Sequence, residues 1–124
     1  MKFKLPAFIT CSSLFLLGCG GADSRLSLVK NGVMDFCPQV SVKEMVNSYI
    51  ANPDWEAFVA TDGKDYVNVE GQIYYYEELT DMLLQFKVNT ASSRFEVNAF
   101  EIDGIPQNVF MSNALLENMC DEAS

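Results

Sequence analysis

The sequence predicts an α+β fold, with an N-terminal helix, a four-stranded antiparallel meander and a C-terminal helix, and with the helices on one face of the sheet. Three observations predict it. A capped apolar stripe with helical spacing begins at Ser41, apolar and polar residues alternate in four runs between positions 55 and 102, and a second helical stretch follows at 107–120. The 124 residues have room for one domain.

The first helix has the clearest signals. Ser41 is placed to cap it, and Glu44, three residues later, completes a capping box. Asn52-Pro53 is expected to end it. An apolar stripe with helical spacing is typical of a helix packed on a core, and its members are Val42, Met45, Val46, Tyr49 and Ile50.

The first two strands are predicted over residues 55–61 and 64–76. Asp62-Gly63 between them is typical of a two-residue type I′ turn, because glycine tolerates positive φ. Gly71 indicates a bulge or bend in the second strand. Alternation along that strand places Val67, Val69, Ile73 and Tyr75 on one face, and Tyr66, Asn68, Glu70, Gln72, Tyr74 and Tyr76 on the other.

Two further strands and a closing helix are predicted after residue 76. Residues 77–81 are polar and are compatible with one turn of helix. A third strand is predicted over 82–88 and a fourth over 94–102, which ends before Asp103-Gly104 and Pro106. The closing helix at 107–120 is expected to place Val109, Leu116 and Met119 or Cys120 on one side.

The first eighteen residues have the layout of a secretory signal peptide. Lys2 and Lys4 precede an apolar run at 5–17 that is too short for a final membrane anchor. At its end, Leu16-Leu17-Gly18-Cys19 resembles the lipobox of bacterial lipoproteins. An ordinary secreted protein, or an uncleaved anchor with a chance cysteine, is the alternative.

The resemblance implies that the signal peptide, 1–18, is removed and that Cys19 is acylated and inserted into a lipid bilayer. The protein would then be anchored in the cell envelope, with its domain periplasmic or surface-exposed. Gly20 after the cysteine favours the outer over the inner membrane. Residues 19–33 are predicted to be a flexible tether with at most a short strand at 26–29, and residues 34–124 to be the domain.

Apart from Cys11 and Cys19, two cysteines remain, Cys37 and Cys120. In an oxidising compartment this even remainder predicts a disulfide between the start of the domain and its last helix. The alternative is a reactive thiol pair, and the spacing is unlike the C-x-x-C of such pairs.

The mature chain is strongly acidic. Without Lys2 and Lys4, six basic residues face seventeen acidic ones, which leaves a net charge near −11. Such a surface repels phosphates, so nucleic acid is not an expected partner, whereas a basic protein would be attracted. The alternative is that the acidity only keeps the protein soluble.

The sequence lacks the residues that several kinds of catalysis and ligand binding require. There is no histidine, which excludes His-based catalysis and the usual zinc sites, and no glycine-rich phosphate loop, so neither a metal nor a cofactor is predicted. Calcium at Asp62 and Asp65 is less favoured than a plain hairpin turn. The remaining candidates for catalysis are carboxylates, which form two groups in the sequence. Glu77, Glu78 and Asp81 are one group, and Glu101 and Asp103 are the other.

Three tyrosines of the longest strand, Tyr66, Tyr74 and Tyr76, share a face with small polar residues. This composition is favoured at protein-binding surfaces and would also suit stacking on a sugar ring. The alternative is that they are half-buried residues of an ordinary sheet face.

The leading hypothesis is therefore a non-enzymatic, lipid-anchored interaction module that binds another envelope protein through this face. A second is an inhibitor or immunity-type lipoprotein that blocks a basic exogenous enzyme, such as a lysozyme or a toxin. A third is a hydrolase that uses two carboxylates.

Overall fold

The computed structural model describes residues 23–124, so the leader and Cys19 lie outside the described part of the chain. Its sheet has the order β1-β2-β3-β4-β5, and each strand is antiparallel to its neighbour. The elements are helices α1 (Ser24–Asn31), α2 (Val42–Tyr49) and α3 (Val109–Ala123), and strands β1 (Ala51–Val59), β2 (Asp65–Tyr75), β3 (Glu78–Asn89), β4 (Arg94–Ile102) and β5 (Ile105–Pro106). The predicted α+β class and antiparallel sheet are confirmed, but a further helix and a fifth strand are added.

Helix α2 begins as its sequence signals indicate, but it ends at Tyr49, and Asn52-Pro53, predicted to end it, lies within β1, which starts at Ala51 and not at residue 55. The Ser41 hydroxyl accepts a bond from the Glu44 N–H at 3.1 Å, and the Glu44 carboxylate accepts one from the Ser41 N–H at 2.7 Å. Both ends of the capping box are thus satisfied. The predicted stripe faces the core, with Val42, Met45, Val46 and Ile50 buried and Tyr49 packed beside them.

Helix α1 corrects the prediction for residues 19–33. Its eight residues replace most of the expected tether, and the short strand predicted at 26–29 is wrong. A helix this short is marginal by itself. It is stabilised because Asp23 caps it, accepting the Arg25 N–H at 2.9 Å, and because Val29 is completely buried. The packed structure consequently includes residues well ahead of position 34.

The turns also differ from the prediction. Between β1 and β2, the loop at 61–63 is closed by the Ala60 N–H bonding to the Lys64 carbonyl, and Gly63 has φ of 80°. It is a three-residue loop, not the predicted two-residue type I′ turn. Strand β3 begins at Glu78, so residues 77–81 are not a turn of helix. The β2–β3 turn instead consists of Tyr76 and Glu77, both with positive φ.

The sheet buries one face only. Its buried residues alternate along the strands and pack against the helices; they are Val67, Val69, Ile73, Met82, Leu84, Phe86, Val88, Phe100 and Ile102. The irregularity expected at Gly71 lies opposite it, as a shift in β1 between Ala51 and Asp54. A Cβ on Gly71 would lie 2.5 Å from the Ile50 Cγ2 atom, so this close approach requires glycine.

Helix α3 packs against α2 and closes the domain. The predicted disulfide is confirmed, since Cys37 and Cys120 are bonded with their Cα atoms 5.9 Å apart. Leu116, Met119 and Cys120 are buried as expected. Val109, predicted on the same side, is 73% exposed because α3 begins there, ahead of the part that meets the core.

We expect the double substitution Cys37→Ala and Cys120→Ala to lower the free energy of unfolding by about 4 kcal/mol, because the bridge closes a long loop in the unfolded chain. The bonded residues are 83 positions apart. Urea unfolding of the variant and of the oxidised protein measures the difference. A loss under about 1 kcal/mol would contradict a bridge that restrains the unfolded chain.

Candidate functional site

The sheet face that the helices leave uncovered, here called the outer face, is acidic over much of its area. Residues that alternate with the buried ones lie on it. Five of its carboxylates are named here the acidic face: Asp54, Glu56, Glu70, Asp81 and Glu101. Lys87 lies on the same side of the sheet but beyond them, opposite Tyr66 and Glu96. Five of the seventeen carboxylates of the chain thus lie together on one surface.

Like charges face each other within this surface. Asp54 lies directly opposite Glu70 on the neighbouring strand, and Glu70 and Glu101 flank Leu83 on either side. Like charges directly opposite each other destabilise a sheet. An open depression of about 500 Å³ lies here, with Glu70, Asp81 and Glu101 in its lining. The surface could accept a cation, such as a lysine or arginine of another protein.

Amide side chains hold the middle of the outer face in place. Gln85 donates to the Asn68 side chain at 3.0 Å and accepts from the Asn98 side chain at 2.7 Å, which links three strands. Gln72 also donates to the Asp81 carboxylate at 3.3 Å. Hydrogen bonds between side chains therefore fix this polar part of the surface.

The β2–β3 hairpin ends in an exposed aromatic group, here called the hairpin tip (residues 74–79). Tyr74 is 75% and Tyr76 83% exposed, and Leu79, opposite Tyr74, is also exposed. Tyr76 packs edge-on against Tyr75 with ring centroids 4.6 Å apart. Glu77 and Glu78 add negative charge to the tip.

The backbone of the hairpin tip is strained. Tyr76 and Glu77 have φ of 51° and 68°, the left-handed region that such a turn usually fills with Asn and Gly. Side chains with a Cβ cost roughly 1–2 kcal/mol each in this conformation. Strain of this kind is common where a side chain is held out for a function.

The structure does not bring the three predicted tyrosines together. Tyr66 lies eight residues from Tyr74 along the strand, about 26 Å away. Its ring stacks on Phe58 at 5.8 Å, and its hydroxyl donates to the Asp62 carboxylate at 2.8 Å, which raises the Tyr66 pKa. Tyr74 and Tyr76 thus belong to the candidate site, and Tyr66 belongs to a separate cluster at the other end.

Sequence reasoning missed part of the exposed apolar surface. Leu79 was assigned to a polar helical turn, and Val109 to the core. Ile105 at the β4–β5 turn and Phe110 at the start of α3 are also exposed, Phe110 by 88%. The one available signal was that Val109 and Phe110 directly follow Asn108, which caps α3, so that both occupy its first turn.

Only some of the carboxylates that are candidates for hydrolysis lie close together in the structure. Glu70, Asp81 and Glu101 share the depression, and the backbones of Glu70 and Glu101, two strands apart, are roughly 10 Å from each other. Within residues 23–124, no set of three potential ligand side chains is arranged to hold a metal ion. Over the same residues, no helix is both long and apolar enough to cross a bilayer.

Comparisons of this chain with protein-family models, with curated proteins and with solved structures give no match.

We expect Glu70→Lys to raise the free energy of unfolding by about 0.5 kcal/mol, because it replaces a like-charge cross-strand pair by an attractive one. The residues opposite position 70, Asp54 on β1 and Leu83 on β3, are the same in the variant and in the native protein. Urea unfolding at low salt measures the free energy of unfolding. Glu70→Gln only removes the repulsion, so its free energy of unfolding should lie between those of the native protein and of Glu70→Lys. A destabilised Glu70→Lys would contradict the repulsion inferred here.

Proposed function

We propose that this protein is a non-enzymatic, lipid-anchored module of the cell envelope that binds a basic protein partner through the acidic face and the hairpin tip. The observation that carries the proposal is the exposed, strained hairpin tip with Tyr74 and Tyr76 beside a surface of unpaired carboxylates.

Charge complementarity supports a basic partner. In residues 23–124, the ion pairs within 4.0 Å all involve Arg25, so the carboxylates of the acidic face have no internal counter-ion. Interface charges of one sign speed association with an oppositely charged partner and select against others. The tyrosines would then supply the contact area, since exposed tyrosine is favoured where one protein binds another.

The proposed location of the protein, in the cell envelope, rests on the lipobox at residues 16–19. An acylated Cys19 would hold the module at a membrane, with the outer membrane favoured by Gly20. Two or more acyl chains anchor a protein stably.

A hydrolase is the weaker candidate. The depression that gathers Glu70, Asp81 and Glu101 is open, and glycoside hydrolysis requires two acids that flank an enclosed bond. An inhibitor or immunity-type role shares the same surface, because a basic enzyme would be one kind of basic partner. Inhibition of the captured partner's activity by the purified protein would select that role.

We expect the double substitution Tyr74→Ser and Tyr76→Asn to weaken partner binding by about 30-fold, the loss typical of central aromatic contacts. Asn suits the left-handed backbone at position 76, so the variant should fold at least as well as the native chain. The measurement is capture of basic proteins from detergent-solubilised envelopes with the full-length protein as bait, followed by titration of the captured protein.

Phe110→Ala is the matched control, since it removes an aromatic ring that is equally exposed but lies on α3. Binding should survive it and should weaken as salt is raised. Equal capture by the tip variant and the native protein would rule out the hairpin tip as the binding site. A native protein whose N-terminal peptide, examined by mass spectrometry, lacks acyl groups on Cys19 would contradict the anchor.

A further inference from the structure

The end of the sheet opposite the hairpin tip, here called the loop end, is formed by the loops at 60–64 and 90–93. It carries Lys64, Lys87 and Arg94 around an open depression of about 860 Å³. Within residues 23–124, no carboxylate oxygen lies within 4.0 Å of these three cations. They are half of the six basic residues in this part of the chain.

The described chain begins beside this end. Arg25 bonds to the Asp23 carboxylate at 2.8 Å and to the Asp65 carboxylate at 3.0 Å, and Asp65 is the first residue of β2, next to Lys64. These pairs raise the pKa of Arg25 and lower that of Asp23, so both stay charged. The start of α1 is thereby fixed at the loop end.

The position of the start of α1 limits the distance between the domain and a lipid attached to Cys19. Four residues of chain reach at most about 14 Å, so Asp23, at the start of α1 and beside the loop end, would lie within that distance of the anchored cysteine. Strand β2 has 11 residues, which place the hairpin tip about 36 Å from the loop end. The tip could reach the bilayer only if the sheet lay flat on it.

Charge opposes the flat position. The acidic face and the hairpin tip together carry seven carboxylates and no cation. The loop end, with the start of α1, has four cations and five carboxylates, so its net charge is near −1; the carboxylates are Asp23, Asp35, Asp62, Asp65 and Glu96. Anionic headgroups therefore repel the first surface much more strongly than the second, where the three cations can meet phosphates.

We propose that the loop end rests on the phosphate groups of the membrane in which Cys19 is anchored, with Lys64, Lys87 and Arg94 in contact with them and the hairpin tip directed away from the bilayer. This inference rests on the proposed anchor. The upright position presents Tyr74 and Tyr76 to a partner at some distance from the membrane surface.

The test compares the full-length acylated protein in vesicles of phosphatidylethanolamine and phosphatidylglycerol with the same protein in neutral detergent micelles. Lysine amines are acetylated with a water-soluble reagent, tyrosines are iodinated, and both are quantified by mass spectrometry. We expect Lys64 and Lys87 to react several-fold more slowly in vesicles, with Tyr74 and Tyr76 unchanged.

Variants separate the contribution of charge from shielding by the anchor alone. Each cation favours the position at an anionic surface by about fivefold, so Lys87→Gln with Arg94→Gln should remove most of the protection of Lys64. Lys87→Arg with Arg94→Lys conserves the charge and should keep that protection.

The outcomes distinguish the two proposals. An N-terminal peptide without acyl groups on Cys19 overturns the anchor and the orientation together. An acylated protein whose Lys64 and Lys87 react equally in vesicles and micelles, or whose Tyr76 becomes protected in vesicles, overturns the orientation alone. Protection of Lys64 that survives the loss of both other cations overturns the role of their charges.

Discussion

A single apolar layer between the sheet and the helices holds this domain together. Over residues 23–124, the buried side chains are all apolar or disulfide-bonded, and those of the sheet all point to the helical side. Phe86 and Phe100 are the largest of them. The disulfide fixes the far end of α3 to the segment that precedes α2, which keeps both helices on this layer.

Because all of the packing is on one side, the outer face is free of it. Alternating charges on the outer face and an Asn-Gly turn between β2 and β3 would have made the sheet more stable. Instead Asp54 faces Glu70, and Tyr76 and Glu77 occupy the left-handed turn. Both features cost stability, and both suit the proposed binding of a basic partner. This is the kind of local conflict that is expected at a binding site.

The sequence predicted well those elements whose signals are local. Helix α2 has a capping box and an apolar stripe, and the even number of remaining cysteines indicated the Cys37–Cys120 bridge. Helix α1 was missed because only its packing on the core, through Val29, makes eight residues stable.

The β2–β3 turn was missed for a related reason. Tyr76 and Glu77 are poor residues for its backbone, so no turn signal marked it, and the start of β3 was predicted four residues late. For the candidate site, alternation placed Tyr66 and Tyr74 on one face correctly. It could not show that Tyr66 is stacked on Phe58 while Tyr74 and Tyr76 stand free, because that depends on which residues lie opposite.

In the proposed function, the hairpin tip contacts a protein partner and the helical side does not. The most direct measurement is photo-crosslinking in living cells, with p-benzoylphenylalanine at Tyr76 and, on the helical side, at the exposed Asn47 of α2. We expect a discrete adduct with a basic protein from position 76 and none from position 47. Adducts from position 47 alone, or from neither position, would contradict it.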